Sequence, residues 1–432
     1  MYVSKLKIDG LRGFDGRRSV NLDFTRPDGS YAGWTVLAGR NGSGKTTMLQ
    51  AIALALAGEN FIREPELWPG IQRKRRAFIS LTIVQDSQFD GGFDFGPWEL
   101  KAEWDEKLRP DHPAWTGTPA RRKSPRQISP YEGDGWFYAG YGPFRRLSAT
   151  ALGRSEHRST TRYAGLRTLF DEDISLVEGV SWLIEQHLYR LEKRPGAQET
   201  LDSALGIIGD GMLPDGYQVS GRVDSDGLWV TRDNEEFPLR QMSDGYRTVT
   251  ALVVDIIRQM SSSFGALRLS YRDGRPTLAY PGIVLIDEVD AHLHVSWQKA
   301  IGEWMKFHFP LIQFIVTSHS PYVCQSADPG GLIRLAGPGE LEHPRVVEQD
   351  LYQRIVYGSG DDAILTELFG VETPYSTEAE RLRRRLGALE KRVLRGEASE
   401  AEITEYTELS ETLTSSLTAR VDEVSSRLGR NA

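Results

Sequence analysis

Eight consecutive residues, Gly39 to Thr46, follow the pattern G-x-x-x-x-G-K-T. The apolar run at 34–38 predicts a strand before the motif, and residues 47–57 predict a helix after it. A glycine-rich loop in this position turns backbone N–H groups toward phosphate, and the helix N-terminus adds partial positive charge. The strand–loop–helix order therefore favours a phosphate-binding loop over a glycine-rich turn that binds nothing, and it predicts an α/β fold.

Within this P-loop, the Lys45 ammonium is expected to reach the β- and γ-phosphates of a nucleotide, and the Thr46 hydroxyl is expected to hold Mg²⁺. A nucleotide and Mg²⁺ are therefore the expected ligands. The residues expected to contact the nucleotide are Gly39, Arg40, Asn41, Gly42, Ser43, Gly44, Lys45, Thr46 and Thr47.

Composition restricts the class of protein. The 432 residues are enough for one large domain or two to three ordinary ones. No apolar run is long enough to span a bilayer, and residues 1–8 lack the apolar core of a signal peptide. Cys324 is the only cysteine, which excludes an intrachain disulfide. These features predict a cytoplasmic protein without a membrane partner, and the net charge of −8 argues against a uniformly basic nucleic-acid-binding surface.

Hydrophobic patterns predict the other elements. Strands are predicted at 4–8, 19–24, 76–84, 98–104, 135–142, 283–286 and 312–317, and helices at 175–193 and from 242 onward. Residues 217–237 predict a hairpin, and residues 106–130, with five prolines, predict a loop. Past about residue 350 the chain is predicted to be helical and charged.

Asp287 and Glu288 directly follow the apolar strand at 283–286, an arrangement typical of a Walker B motif. Asp287 is expected to hold Mg²⁺ together with Thr46, and Glu288 to polarise the attacking water as a general base. An acidic pair that faces solvent is the alternative. The position of the pair at a strand end downstream of a P-loop favours the catalytic interpretation.

The later motifs follow the P-loop in a fixed order: Ser243 to Arg247, then Asp287-Glu288, then His319. This order, over about residues 1–335, resembles the soluble ABC-type ATPases that include SMC proteins, RecF and the overcoming-lysogenization-defect nucleases. The resemblance implies a P-loop NTPase head with a mixed or parallel central sheet, an antiparallel β subdomain, a helical lobe and a C-terminal helical extension. The implied domains are the ATP-binding lobe with its β subdomain at 1–150, the helical lobe at 151–250, the remaining ATPase core at 251–345, and the extension at 346–432.

The same resemblance implies residue roles. Ser243 and Gly245 match the signature motif, which caps the γ-phosphate of ATP bound by a second subunit in a head-to-tail dimer. Asp290 matches the D-loop position, and His319 matches the switch histidine that senses the γ-phosphate. The plain alternative for Ser243 or Asp244 is an ordinary helix N-cap, which is compatible with a signature role.

Some family features have no clear counterpart. The metal-contacting glutamine has no clean match, because Gln85 ends a candidate strand before the basic loop. The stretch from Tyr141 to Arg146 lies at the corresponding place and resembles stretches in standalone anti-phage defence ATPases. Two interpretations of this stretch remain: Arg145 or Arg146 contacts phosphate, or the stretch is a structural turn. Arg12 is either a phosphate contact or a solvated turn arginine.

The C-terminal region lacks the acidic pattern of a Toprim nuclease domain. An apolar stripe at Leu382, Leu386, Leu389 and Val393 precedes a capping box at Ser399 and Glu402. A second stripe follows at Tyr406, Leu413, Leu417, Val421, Val424 and Leu428. The two stripes predict a helical hairpin or short coiled coil, which either packs on the ATPase core or docks a partner protein.

Basic clusters at 73–76, 121–123 and 154–167 are candidates for contacts with nucleic acid. The favoured function is an ATP-hydrolysing homodimer or higher homo-oligomer that serves an anti-phage defence system of the Septu-like or retron-associated type, with a separate, nuclease-type effector. The alternatives are a RecF-like repair ATPase, an ATP-stabilised scaffold with little turnover, and a nuclease with an unrecognised metal site.

Overall fold

The structure, a computed structural model, describes residues 1–58, 61, 73–90, 96–105, 114–119, 136–143, 162–171, 177–371 and 373–413. The chain forms two compact units, Met1–Phe369 and Gly370–Ala432. The domain boundaries that the sequence suggests near residues 150, 250 and 345 stay predictions.

The first unit contains both strands and helices. The described strands are β1 (Tyr2–Leu11), β2 (Val20–Asp23), β3 (Gly33–Ala38), β4 (Arg73–Val84), β5 (Trp98–Asp105), β6 (Ala114–Pro119), β7 (Tyr138–Tyr141), β8 (Gln218–Asp224), β9 (Gly227–Arg232), β10 (Glu235–Pro238), β11 (Ser270–Arg272), β12 (Arg275–Thr277), β13 (Gly282–Ile286), β14 (Ile312–Ser318), β15 (Leu332–Arg334) and β16 (Arg345–Val346). The described helices are α1 (Lys45–Ala57), α2 (Val177–Leu191), α3 (Ala197–Gly209), α4 (Asp244–Phe264), α5 (Val295–His308), α6 (Pro321–Gln325), α7 (Gln349–Val356) and α8 (Gly360–Ile364), with 3₁₀ turns at Gly16–Arg18, Arg162–Leu169 and Leu239–Gln241.

A six-stranded sheet, in the order β16-β15-β3-β14-β13-β7, forms the middle layer of this unit. Neighbouring strands are parallel except for β15 and β16, which are antiparallel. Parallel strands covered on both faces consist of nearly continuous apolar residues. All five residues of β13 are buried, as the apolar run at 283–286 predicts. The expected mixed α/β fold is confirmed.

Alternate residues of the central strands enter two different hydrophobic cores. Ile283 and Leu285 share one core with α1 and with strands β1, β4 and β5. Val284 and Ile286 share the other core with α4 and α5. Successive side chains of a strand point to opposite faces, so each central strand contributes to both cores.

The five-stranded antiparallel sheet, in the order β2-β1-β4-β5-β6, is the predicted β subdomain. The fully buried side chain of Gln313 in β14 connects it to the central sheet. The amide nitrogen of Gln313 donates to the Val3 carbonyl at 2.8 Å, and its oxygen accepts from the Val3 N–H at 2.7 Å. A buried amide is tolerated where its hydrogen bonds are satisfied, and here those bonds set β1 against β14.

Helices α2, α3 and α4 and the three-stranded sheet β10-β9-β8 form the predicted helical lobe. Helix α4 spans 21 residues, and its apolar positions Val249, Leu252, Val253 and Ile256 recur at helical spacing and are buried. These residues join Leu183 of α2 in one core. The helix that begins after Met242 is therefore confirmed.

Two sequence predictions are wrong in part. The predicted loop at 106–130 contains β6, which pairs with β5 over its whole length. Of the five prolines that favoured a loop, Pro119 lies in β6, and it is compatible with the strand because β6 is an edge strand whose pairing ends at Pro119. The predicted hairpin at 217–237 turns as expected between β8 and β9, but β10 adds a third strand.

The described part of the second unit is a helical hairpin of α9 (Thr377–Leu394) and α10 (Glu400–Thr412). Arg385 binds the Glu405 carboxylate at 2.9 and 2.7 Å, and Arg392 lies 2.6 Å from Glu402. The predicted capping box of Ser399 and Glu402 is present at the start of α10. Of the predicted second stripe, Leu417, Val421, Val424 and Leu428 lie outside the described residues.

Across the described ranges, no helix combines the length and the apolar character that crossing a bilayer requires.

Phe314 tests the contribution of the central sheet to stability. Its ring is fully buried in β14, 5.3 Å from the Trp34 ring and 6.3 Å from the Phe309 ring. We expect Phe314→Ala to lower the free energy of unfolding by about 3–5 kcal/mol in urea titration, because it leaves a cavity between both rings. The control Tyr271→Ala removes a side chain that is 70% exposed, and we expect a change below about 0.5 kcal/mol. Equal losses in the two variants would contradict this packing.

Candidate functional site

Three neighbouring parallel strands, β3, β14 and β13, end at one edge of the central sheet. The P-loop follows β3, Asp287 follows β13, and His319 follows β14. Ligands of open α/β sheets bind at the carboxyl ends of the strands, and the structure brings these three distant segments together there.

The P-loop is shaped by Gly44 and closed by Lys45. Gly44 has φ +100, and a Cβ on this residue would lie 2.5 Å from the Phe14 ring, so only glycine fits. Lys45 is the first residue of α1, and its ammonium donates to the carbonyls of Gly39 at 2.8 Å and Arg40 at 3.2 Å. The loop therefore encircles the lysine that is expected to bind phosphate.

The Ser43 side chain provides an independent sign of a ligand. Ser43 is 1% exposed, and among the described residues its hydroxyl has no hydrogen-bond partner. Buried polar groups in native proteins are almost always satisfied, and leaving one unsatisfied costs about 1–3 kcal/mol. A phosphate-bearing ligand held by the P-loop fits this position.

The Asp287 carboxylate, at the end of β13, contacts the segments that follow or end the two neighbouring strands, β3 and β14. It is 1% exposed and accepts two hydroxyl hydrogen bonds, from Thr46 at 2.7 Å and from Thr317 at 2.5 Å. Its backbone N–H donates to the Tyr141 carbonyl at 2.8 Å. The predicted pair Thr46 and Asp287 is thus in direct contact, and it presents oxygen ligands of the kind that Mg²⁺ prefers.

Glu288 has an unusual backbone conformation. Its φ of +45 lies in the left-handed region, which non-glycine residues adopt at a cost. Its N–H donates to the Thr317 hydroxyl at 2.7 Å. Thr317 therefore positions both members of the acidic pair, Asp287 through the carboxylate and Glu288 through the backbone.

Asp290 and His319 lie beside each other. The His319 N–H donates to the Asp290 carboxylate at 3.4 Å, which joins the loop after β13 to the end of β14. The Leu293 N–H donates to the Asp290 carbonyl at 3.0 Å, so the segment forms a tight turn before α5. The proposed D-loop and switch-histidine residues are therefore adjacent.

Ser243 and Gly245 lie at the N-terminus of α4. Ser243 is the N-cap residue, yet its side chain makes no capping hydrogen bond in the described structure. A Cβ on Gly245 would lie 2.5 Å from the His292 carbonyl oxygen, so the start of α4 packs closely on the segment after Asp290. Among the described residues, neither Ser243 nor Gly245 is hydrogen-bonded to the P-loop of its own chain.

Electrostatics at the strand ends follow from burial and close charges. Burial lowers the pKa of Lys45, while the carboxylates of Asp287 and Glu288 oppose that change. Desolvation also lowers the pKa of His319, and the Lys45 charge lowers it further. The His319 ring is therefore neutral near pH 7 and offers one N–H donor.

Arg18 is a supporting residue that sequence reasoning missed. It donates to the carbonyls of Ala336 at 2.9 Å, Gly337 at 3.2 Å and Ser43 at 3.5 Å, so it supports the P-loop from behind. No local pattern marks Arg18, because its main acceptors follow β15 more than 300 residues away. Sequence reasoning also assigned no role to Thr317. In this case a local signal was present, because Thr317 lies at the end of β14, two residues before His319.

Arg12 lies next to the P-loop helix. It has φ +45, and its guanidinium donates to the side chains of Thr47 at 3.2 Å and Gln50 at 3.4 Å. This position is compatible with either role that the sequence left open. Gln85 follows β4 of the antiparallel sheet rather than a central strand.

Several predicted contacts fall beyond what the structure describes. Arg145, Arg146 and the basic cluster at 121–123 lie outside the described residues, as do residues 154–161 of the third cluster. In the first cluster, only the side chain of Arg76 is described, and it lies 3.6 Å from Asp105.

Family models match most of the chain. Residues 86–325 match the family described as "AAA domain, putative AbiEii toxin, Type IV TA system". Residues 5–83 match a second model described as "AAA domain".

Individual relatives include two Septu proteins and a retron ATPase. Septu protein PtuA from Bacillus mycoides (strain KBAB4) is 30% identical over 74% of this chain and 38% of its own length. Septu protein PtuA from Bacillus thuringiensis is 22% identical over 78% of this chain and 76% of its own length. The "Retron Ec83 probable ATPase" from Escherichia coli is 38% identical over 28% of this chain and 21% of its own length. The chain thus spans well under half the length of two of these relatives.

Solved structures that resemble this one include SMC heads. The SMC head domain from Thermotoga maritima has a TM-score of 0.41 and 15% identity, over 81% of this chain and 100% of that chain. An SMC head bound to the C-winged helix domain of ScpA has a TM-score of 0.46 and 16% identity, over 80% of this chain and 98% of that chain.

Gly44→Ala tests the shape of the P-loop. The new Cβ would meet Phe14 in a backbone conformation that alanine adopts poorly, so we expect at least about tenfold weaker binding of a fluorescent ATP analogue. Gly13→Ala is the matched control, because the methyl group that alanine would add there meets nothing within 4 Å beyond its chain neighbours. Binding by the two variants that is equal within about twofold would contradict the steric argument.

Thr317→Val tests the support of the acidic pair. Valine keeps the shape but removes the hydroxyl that contacts Asp287 and Glu288, so we expect about tenfold slower phosphate release from ATP. Thr317→Ser should keep most activity. Thr366→Val is the control, since it removes a buried hydroxyl that donates to the Ala363 carbonyl. If the Val and Ser variants of Thr317 turn over ATP at the same rate, the hydroxyl has no such role.

Proposed function

The chain belongs to the AAA-domain family described as "AAA domain, putative AbiEii toxin, Type IV TA system", and from that premise we propose that it is a Mg²⁺-dependent ATPase. The observation that carries the proposal is the contact of Asp287 with Thr46 at 2.7 Å. It places two oxygen ligands at the start of the helix that Lys45 begins, which is the arrangement that phosphoryl transfer requires.

ATP binding uses the P-loop. The Lys45 ammonium now bonded to the Gly39 and Arg40 carbonyls exchanges these acceptors for phosphate oxygens, which carry more negative charge. The unsatisfied hydroxyl of Ser43 and the N-terminus of α1 favour an anion at the same place. Thr46 and Asp287 would hold Mg²⁺, which when bound supplies positive charge against the phosphates.

Hydrolysis is assigned to Glu288. Glu288 takes a proton from the water that attacks the γ-phosphorus, the bond to the bridging oxygen breaks, and ADP and phosphate are released. Thr317 holds the backbone of Glu288 and the carboxylate of Asp287 in place during this step. The neutral ring of His319 donates to a γ-phosphate oxygen and so distinguishes ATP from ADP.

The complete site is proposed to need two copies of the chain in a head-to-tail arrangement. Ser243 and Gly245 of one subunit then cap the γ-phosphate held by the other. Among the described residues the Ser243 hydroxyl makes no capping hydrogen bond, which supports this role, because a hydroxyl donor at a helix N-terminus suits an anion. The close packing of Gly245 on His292 supports a common surface of signature and D-loop segments.

The named relatives support a role in anti-phage defence. We propose that this ATPase is the nucleotide-sensing subunit of such a system and that a separate, nuclease-type protein is the effector. Similarity to two Septu proteins and to a retron ATPase favours this role over a repair ATPase.

Glu288→Gln tests the assignment of the general base. The amide keeps the shape but cannot accept the proton, so we expect ATP turnover to fall by at least about a hundredfold while ATP binding persists. Because the nucleotide is then not consumed, the variant should accumulate as a dimer in ATP and Mg²⁺, measured by analytical ultracentrifugation. Glu199→Gln, an exposed glutamate of α3, is the control and should behave as wild type. Turnover by Glu288→Gln above a tenth of the wild-type rate would contradict the assignment.

A further inference from the structure

Tyr141 lies between β13 and α4, and the roles assigned above do not explain its contacts with both. It is the last residue of β7, the strand beside β13, and it is 1% exposed. Its carbonyl accepts the N–H of Asp287 at 2.8 Å. Its hydroxyl donates to the Asp255 carboxylate of α4 at 2.9 Å. One residue thus contacts the Walker B aspartate through its backbone and the signature helix through its side chain.

Asp255 is a buried charge with several partners. It is 3% exposed, and it accepts from Tyr141, from Arg258 at 2.8 Å and from Gln259 at 3.4 Å. A buried carboxylate is costly unless its oxygens are satisfied, so these donors hold it in one position. Asp255 lies 11 residues after Asp244, the first residue of α4, which is about 16 Å along a straight helix.

The 3₁₀ turn at Arg162–Leu169 also packs between these elements. A Cβ on Gly142 would lie 2.1 Å from the Thr168 carbonyl, so the turn presses on the backbone just after Tyr141. Gln259 lies against Gly165 of the same turn, and Gln50 of α1 donates to the Leu169 carbonyl at 2.9 Å. The P-loop helix, the Walker B strand and the signature helix are therefore in contact through one packed group.

We propose that Tyr141 and Asp255 are positioning residues that set the signature helix α4 relative to Asp287, so that Ser243 and Gly245 meet the second nucleotide in register. This inference rests on the head-to-tail dimer proposed above. Packed helices shift by small translations and rotations when their contacts change, so a lost contact at Asp255 is expected to move the N-terminus of α4.

The test is Tyr141→Phe, which keeps the ring and the backbone bond to Asp287 and removes only the hydroxyl. We expect binding of a fluorescent ATP analogue by the isolated subunit to stay within about twofold, because the P-loop is unchanged. We expect kcat to fall about tenfold, and the nucleotide-dependent dimer of the Glu288→Gln variant to weaken by a similar factor. Asp255→Asn, which keeps an acceptor oxygen, should lose less than Asp255→Ala.

Tyr352→Phe is the matched control. Tyr352 is 5% exposed, and its hydroxyl donates to the Ala327 carbonyl at 2.9 Å, away from α4. The Tyr352→Phe variant should lose as much folding stability as any buried tyrosine that loses its hydroxyl, but its kcat should stay at the wild-type value. The double variant Tyr141→Phe/Asp255→Asn should lose less than the sum of the two single losses, because the two changes share the hydrogen bond between Tyr141 and Asp255.

The outcomes separate the two proposals. A wild-type protein that neither turns over ATP nor dimerises with it would overturn the proposed function. A wild-type protein that does both, with Tyr141→Phe unchanged in kcat and in dimer affinity, would overturn the positioning role alone. Weaker ATP binding to the isolated subunit of Tyr141→Phe would also overturn it, since the effect would then lie in the P-loop.

Discussion

The structure depends most on the satisfaction of one buried carboxylate, that of Asp287. A carboxylate that is 1% exposed must be compensated, and hydroxyl groups from two distant segments donate to it, while the backbone N–H of the same residue donates to a third segment. Thr46 brings the P-loop, Thr317 brings the end of β14, and the Tyr141 carbonyl brings the end of β7. These hydrogen bonds fix the edge of the central sheet at which the nucleotide is proposed to bind.

The layers around this edge explain why it is rigid. The central strands are buried on both faces, with alternate residues in two cores. A shift of the sheet against the elements that cover either face would therefore lose packing contacts. Gln313 holds β1 of the antiparallel sheet against β14 through two hydrogen bonds. The strained backbone of Glu288 persists because Thr317, on the neighbouring strand, holds its N–H.

Local patterns in the sequence predicted much of this arrangement. The P-loop, the strand before Asp287 and the helix after Met242 are recognisable because periodicity and glycine spacing act over a few residues. Strand β6 was missed because Pro119 and the prolines around the strand are typical of a loop until its place at the sheet edge is known. Contacts such as Arg18 with Gly337 and Tyr141 with Asp255 could not be predicted, because they join residues 319 and 114 positions apart.

A mixing experiment tests whether one nucleotide site is built from two subunits, as proposed. Lys45→Ala should inactivate the P-loop half, and Gly245→Arg should inactivate the signature half, so each variant alone should release little phosphate. In a head-to-tail dimer, an equal mixture should recover about a quarter of wild-type activity, because half the dimers are mixed and each has one intact site. A mixture no more active than the separate variants, or full activity from Gly245→Arg alone, would contradict the account.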